Sequence, residues 1–213
     1  MITATAPGRV NLIGEYTDLA DGLVLPMAID RCTTVVGERG GTAVVLTSDD
    51  EPAPAVVPLD VTDPTACRPD WASYVAGVVA ALQPTTGFTG TVSTTVPIGA
   101  GLSSSAALEV ALALALGFEG TPTELAQVTR RAEQAASGVP CGIMDQLASA
   151  SGVDGHALLI DCHTLTVTPV PLPERVEVRV IHSGQPRRLA SSAYADRKAA
   201  VDAATSVLGP LRL

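Results

Sequence analysis

Three groups of residues in this chain have the types and spacing to do chemistry. The first lies between Thr94 and Ala115, in the stretch TTVPIGAGLSSSAALEVALALA. Pro97, Gly99, Gly101 and the serines Ser103, Ser104 and Ser105 are loop formers, and the Ala/Leu-rich run from Ala106 is a helix. A glycine-serine loop therefore feeds a helix N-terminus, where first-turn N–H groups lack intrahelical partners and carry the positive end of the dipole. Such a place attracts phosphate; serines before a helix also serve as plain N-caps. The loop has no Gly-Lys-Ser/Thr and no G-x-G-x-x-G, so it is neither a Walker loop nor a dinucleotide fingerprint.

The second group is Gly14-Glu15-Tyr16-Thr17-Asp18, two carboxylates, a phenol and a hydroxyl between the apolar runs Arg9 to Ile13 and Leu23 to Ile29. Carboxylates accept hydrogen bonds from hydroxyls, so the cluster suits a ligand with many of them. The bland alternative is an ordinary turn closing at Asp21-Gly22. The third is Asp145, set among Ile143, Met144, Leu147 and Ala148 in an expected helix. An aspartate in that company needs a partner.

These residues must be held by elements that the pattern also outlines. Ile2 to Ala6 is a short strand, broken by Pro7-Gly8 before the extended run resumes at Arg9. Thr33 to Gly37 and Ala43 to Thr47 read as strands joined by a hairpin turn at Gly40-Gly41, and Glu51 to Pro69 reads as a linker. Asp70 to Leu82 is a helix with Asp70 as N-cap and with Trp71 and Tyr74 as packing residues. Gly90 to Thr95 is a strand entering the glycine-serine loop. Gly120-Thr121-Pro122-Thr123 opens a helix over Glu124 to Ala136, capped by Thr121 or Thr123. Glu133 falls near its C-terminal end, where the dipole disfavours a carboxylate; it is either a surface charge or a group facing a cation. Gly155 to Cys162 and Val176 to Ile181 are strands, and Leu189 to Ala204 is a polar helix.

Composition bounds the possibilities. Hydrophobic residues make up 46% and charged residues 16% of 213 positions, which is a folded chain and not a disordered tail. A net charge of -9 leaves no basic stripe for nucleic acid. Cys32, Cys67, Cys141 and Cys162 form no C-x-x-C pair, so neither a zinc site nor a disulfide framework is indicated and the thiols are read as reduced and mostly buried. The apolar run Ala106 to Leu116 is too short to span a bilayer, and the N-terminus lacks a signal-peptide pattern. A cytoplasmic protein without membrane partners is expected.

Taken together, three stretches resemble the galactokinase branch of the GHMP small-molecule kinases: APGRVNLIGEYTDLADGLVLPMAI from Ala6 to Ile29, VPIGAGLSSSAALEVA from Val96 to Ala111, and PCGIMDQ from Pro140 to Gln146 followed by GHALLIDC. LASSAYADR from Leu189 to Arg197 is a weaker fourth match. The resemblance implies an α+β fold of the GHMP-kinase N-terminal type (ribosomal protein S5 domain 2-like), a mixed β-sheet with packed helices. It implies an ATP- and sugar-binding domain over residues 1–181, with 182–213 as the start of a truncated second domain, since the family's second glycine-rich motif has no match here. The implied activity is ATP-dependent phosphorylation of galactose at its C1 hydroxyl by a monomeric enzyme.

By the same resemblance Glu15, Tyr16, Asp18, the Gly142 main chain and Tyr194 would contact the sugar, and Arg9 and Asp145 would flank the anomeric hydroxyl. Pro97, Gly99, Ala100, Gly101, Leu102, Ser103, Ser104, Ser105 and Ala106 would wrap the ATP phosphates, with Mg²⁺ between them, a serine hydroxyl (Ser105, with Ser104 as the alternative) and Glu133. Asp145 would act either as the base or, weakened in that role by Arg9, as a group that orients the sugar and stabilises charge. The family commonly has His where this chain has Tyr16, and Tyr where it has Leu19. Those departures leave open another sugar, and a sugar- and ATP-binding sensor is the alternative outside enzymes.

Overall fold

A computed structural model describes residues 1–184 and 192–211, with side chains in the second segment from 195 onward. The larger sheet contains β1 (Ile2–Asn11), β3 (Pro26–Arg39), β4 (Ala43–Ser48), β5 (Ala55–Pro58) and β6 (Phe88–Thr94), in the order β1-β3-β6-β4-β5. All neighbours are antiparallel except β4 and β6, which run parallel. Strand alternation sorts the faces. Ala4, Ala6, Val35, Val44, Leu46, Val57, Phe88 and Val92 point inward, while Thr3, Thr5, Thr89, Thr91 and Ser93 point to solvent. A second sheet joins β2 (Leu23–Val24) to β7 (His156–Asp161) and β8 (Thr166–Pro171).

Helices α1 (Ala72–Leu82), α2 (Ser104–Ala115), α3 (Pro122–Ser137) and α4 (Met144–Ser151) cover the apolar face, with α2 at the centre. Its alanines let sheet and helices approach closely, and Val110, Leu112 and Ala113 are buried. Helix α3 opens with a full capping box: Thr121 Oγ1 accepts from the Glu124 N–H, and Glu124 Oε2 accepts from the Thr121 N–H. A last helix, α5 (Ser192–Leu208), lies against the 3₁₀ turn Thr17–Ala20.

Several expectations are corrected. Pro7-Gly8 does not end a strand; β1 runs through it, with an irregularity in register between Pro7 and Arg9. Gly40-Gly41 is not a hairpin turn, because β6 inserts between β3 and β4. The Glu51 to Pro69 segment contains β5 and a 3₁₀ turn at Pro64–Ala66. The Asp70 side chain does not cap α1, whose N-cap is Trp71; its main-chain carbonyl accepts from Ser73 instead. Val176 to Ile181 forms no strand, and Val176, Val180 and Ile181 are exposed. Of the four free thiols only Cys162 is buried.

Gly77 fixes the spacing of α1 and α3. A Cβ there would lie 2.3 Å from the Ala132 carbonyl oxygen, one residue before Glu133. Gly77→Ala gains about 1 kcal/mol of helix propensity, but overpacking against backbone costs more. A net loss of about 1–3 kcal/mol is expected in urea unfolding; an unchanged midpoint would show that the helices part freely.

Candidate active site

The three chemical groups converge on one cleft of about 890 Å³, counting its open mouth. Strand β1 delivers Arg9, the following loop delivers Glu15, Tyr16 and Asp18, the glycine-serine loop delivers Gly99, Gly101 and Ser103 to Ser105, and α3 and α4 deliver Glu133 and Asp145. Gly99 and Gly101 have φ of 74° and 77°, the left-handed turn that glycine adopts without strain.

Asp145 has found its partner. Arg9 Nε donates to Asp145 Oδ1 at 2.7 Å and a second guanidinium nitrogen lies 2.5 Å from the same oxygen; Ser103 Oγ donates to Oδ2 at 2.6 Å. Arg9 also donates to the Gly101 carbonyl at 2.8 Å, so one side chain ties the glycine-serine loop to α4. Burial works against the Arg9 charge, but the Asp145 carboxylate beside it outweighs that effect and raises its proton affinity. Asp145 occupies the second position of α4, where the helix dipole favours a carboxylate.

Asp18 serves the same helix end. Its carboxylate accepts a hydrogen bond from the Met144 main-chain N–H, a group that the N-cap Ile143 leaves without a side-chain partner. Gly142 sits directly against this carboxylate: a Cβ on it would fall 1.8 Å from Asp18 Oδ2. Asn11 Nδ2 donates to Glu15 Oε1 at 2.9 Å and steadies the second acid of the loop. Tyr16 takes a left-handed φ of 65°, and the Arg197 guanidinium of α5 stacks 4.7 Å from its ring centroid.

Burial, and then the charge of Asp145, push the Asp18 carboxyl up to about 6 against the opposing pull of Arg9. At the acid end both folded and unfolded chains hold the proton, and Asp18 has no net effect. As pH rises towards 6 the unfolded chain gives up its proton first, so this group makes stability fall with pH and its cost is complete above about 6. Asp18→Asn is therefore expected to stabilise the chain by about 3 kcal/mol at alkaline pH and by nothing once both states are protonated. Urea unfolding at the two ends of the pH range checks this; an equal gain at both would assign the effect to packing.

Glu133 is not a surface charge, since it is 3% exposed. Ser105 Oγ donates to its Oε1 at 2.8 Å, and Gln146 Nε2 donates to its Oε2. Burial, followed by the nearby Asp145, raises it to about 7. Such a carboxylate is poised to accept a cation, and its hydroxyl neighbour adds a second hard oxygen.

Not every expected residue presents its side chain to the cleft. Pro97, Ala100 and Leu102 line an adjoining groove with Ile98, and Leu102 and Ala106 are buried, so these positions offer main chain. Tyr194 falls on α5, but its side chain lies outside the described residues. Conversely, Gln146, Cys141 and Ser137 line the cleft without having been singled out, and Trp71 and Tyr74 line a further groove beside Ser104 and Ser105. Among the described residues no group of three or more His, Cys, Asp or Glu could hold a metal by itself, and no helix is long and apolar enough to cross a membrane.

The arrangement of mixed sheet, central helix and glycine-serine loop is that of the GHMP kinases, and the N-terminal domain model of that family matches residues 73–153. Mevalonate kinase shares the fold, with a TM-score of 0.63 at 21% identity over 80% of this chain and 56% of that one. Within this class the chain is a galactokinase homologue and corresponds to the N-terminal region of that family. The galactokinase galactose-binding signature matches residues 2–39. Human galactokinase is 43% identical over 226 residues, covering 98% of this chain and 57% of the relative; that of Thermococcus kodakarensis is 42% identical, covering 96% and 59%. The structure of Lactococcus lactis galactokinase complexed with galactose superposes with a TM-score of 0.77 at 30% identity, covering 92% of this chain and 54% of that one. The chain thus spans little more than half the length of the curated relatives it matches.

Proposed function

We propose that this chain binds ATP and galactose and contributes to transfer of the γ-phosphoryl group to the sugar's C1 hydroxyl, giving galactose 1-phosphate and ADP. The observation that carries this reading is the Arg9–Asp145 pair, seated between an acidic hydroxyl-binding loop and a glycine-serine loop at a helix N-terminus. Glu15 and Asp18 would accept hydrogen bonds from sugar hydroxyls and leave C1 beside the pair. The first-turn N–H groups of α2 and the loop amides would face the ATP phosphates. The groove lined by Trp71, Tyr74, Ile98 and Leu108 would take the base.

Phosphoryl transfer asks little covalent work of a protein, so positioning and charge stabilisation dominate. One P–O bond of ATP breaks, a bond from the sugar C1 oxygen forms, and the hydroxyl proton leaves towards Asp145 or solvent. Glu133 and Ser105 would hold Mg²⁺, a hard cation that needs few protein oxygens when phosphates complete its shell. When bound it neutralises charge on the phosphate oxygens. The residues fit: a hydroxyl and a buried carboxylate, 2.8 Å apart, both line the cleft.

Tyr16 under Arg197 favours a second reading, a kinase for a different sugar, because this pair walls the loop that would read the outer hydroxyls. Sugar-dependent ADP release by the 213-residue chain, with galactose beside its epimers, an N-acetylated analogue and a blank, separates the two. Calorimetry with galactose and with ATP runs in parallel. Binding of both without ADP release assigns the chain a binding role; failure to bind either overturns the proposal.

A further inference from the structure

Glu109 takes no part in the reading above, yet it is fully buried on α2 and neither of its carboxyl oxygens has a hydrogen-bond partner. An ionised carboxylate so placed would cost several kcal/mol. Beside it lies Gln146, also fully buried, whose Nε2 is committed to Glu133 Oε2 and whose Oε1 has no donor. The two side chains are within hydrogen-bonding reach of each other, and what their three unpartnered acceptors lack is a proton. A flipped Gln146 amide does not supply it, because it would turn an oxygen towards the Glu133 carboxylate. Burial and then the neighbouring Glu133 charge raise the proton affinity of Glu109 well above the usual carboxylate range against the smaller opposing pull of the Gln146 side chain, in keeping with an acid form.

We propose that Glu109 is a positioning residue, a neutral carboxylic acid whose O–H donates to Gln146 Oε1 and so aims the Gln146 amide at Glu133. The chain of contacts then runs from Glu109 through Gln146 to Glu133, with Ser105 holding the other Glu133 oxygen. Only a neutral carbonyl oxygen is left unpaired, a far smaller cost than a bare charge. Glu133 would be held in one rotamer facing the cleft, where it would otherwise be free to turn. The inference rests on the reading of Glu133 and Ser105 as the metal-facing pair. It assigns a function to a glutamate that otherwise interrupts an apolar helix at a cost.

Two measurements on the 213-residue chain test it. The first is Mn²⁺ binding in the presence of ATP, read by electron paramagnetic resonance, for the wild type, Glu109→Gln and Glu109→Leu. Glutamine is neutral, near-isosteric and can donate to Gln146, so it is expected to keep wild-type affinity. Leucine removes the donor and is expected to weaken Mn²⁺ binding by about tenfold or more, as loss of a supporting group does at metal sites. Its melting temperature should change little, because the unpaired Glu109 carbonyl goes while the Gln146 oxygen loses its donor; Mn²⁺ affinity lost without a matching loss of stability is what a purely structural glutamate would not show. Wild-type Mn²⁺ affinity in Glu109→Leu, or equal loss in both variants, overturns the proposal; equal loss would mean that an ionised carboxylate is required.

The second measurement reads the hydrogen bond without any metal. The Gln146 side-chain amide resonance should shift and exchange faster in Glu109→Leu and return to its wild-type position in Glu109→Gln. An amide unmoved by the leucine overturns the proposal whatever the metal does. A wild type that fails to retain Mn²⁺ with ATP counts against the metal reading, and the amide then decides on Glu109.

Discussion

Asp145→Asn should retain ATP binding while sugar-dependent ADP release falls by about 10²–10⁴-fold, the range associated with a positioned acid or base. The substitution is nearly silent in shape. The asparagine oxygen can still accept from Arg9 Nε, which now donates to Oδ1, and the Ser103 hydroxyl can turn to accept from the new amide. What disappears is the negative charge opposite a guanidinium that is 11% exposed. A buried cation without its counter-ion is costly, so some stability is lost as well, and a thermal melt of the variant separates that loss from the chemistry. Calorimetry with ATP supplies the control. Substantial residual turnover would remove Asp145 from the mechanism and shift the burden to Arg9 and the loop amides.

The second large effect is expected at a residue with no side chain. In Gly142→Ala the new methyl would lie 1.8 Å from Asp18 Oδ2 and 2.3 Å from Cγ, distances that no pair of non-bonded atoms tolerates. Asp18 must swing away, losing its hydrogen bond from the Met144 N–H and its place in the acidic loop. A displacement of about 1 Å in a positioning group can cost 10²-fold, and galactose affinity should fall by at least about tenfold. ATP affinity should stay put, because the loop amides and α2 lie on the other side of the Arg9–Asp145 pair. Titration with each ligand distinguishes the outcomes. Unchanged galactose affinity would mean that Asp18 does not read the sugar.

Much of this site is legible in the sequence because its signals are local. Glycines and serines before an Ala/Leu run announce a loop feeding a helix, and Thr121-Pro122 with Glu124 announces a capped helix start. Asp145 among apolar neighbours demands a partner, even though which one is a matter of tertiary structure. What was not legible depends on residues far away. Gly40-Gly41 has the chemistry of a hairpin turn, and nothing nearby reveals that β6, more than forty positions later, takes the place between the two strands. Pro7-Gly8 looks like a break because both residues punctuate chains, yet edge strand β1 tolerates a proline without losing a necessary ladder bond. Val176 to Ile181 has the composition of a strand yet pairs with neither sheet.

Glu133 is ambiguous in the sequence for the same reason, and Glu109 carries no signal there at all. A single acid in a helix is usually solvated, and only the packing of α2, α3 and α4 reveals that both are buried. Trp71 and Tyr74 likewise read as packing residues from their helical spacing; that they also border a groove beside Ser104 and Ser105 follows from where α1 docks.

The Arg9–Asp145 contact joins residues 136 positions apart, and Ser149 Oγ reaches the Pro7 carbonyl across 142. Contacts of such span must be reached against the entropy of closing a long loop, and chains rich in them fold slowly. Strand β1 can pair with β3 as soon as the first forty residues are available, but α4 must also be made and docked before the Arg9–Asp145 pair exists. A chain growing from its N-terminus therefore has both loops in hand long before it has a site. Until α4 arrives, a glycine-serine helix end and an acidic loop stand apart, and a partly made molecule has nothing to tie the one to the other.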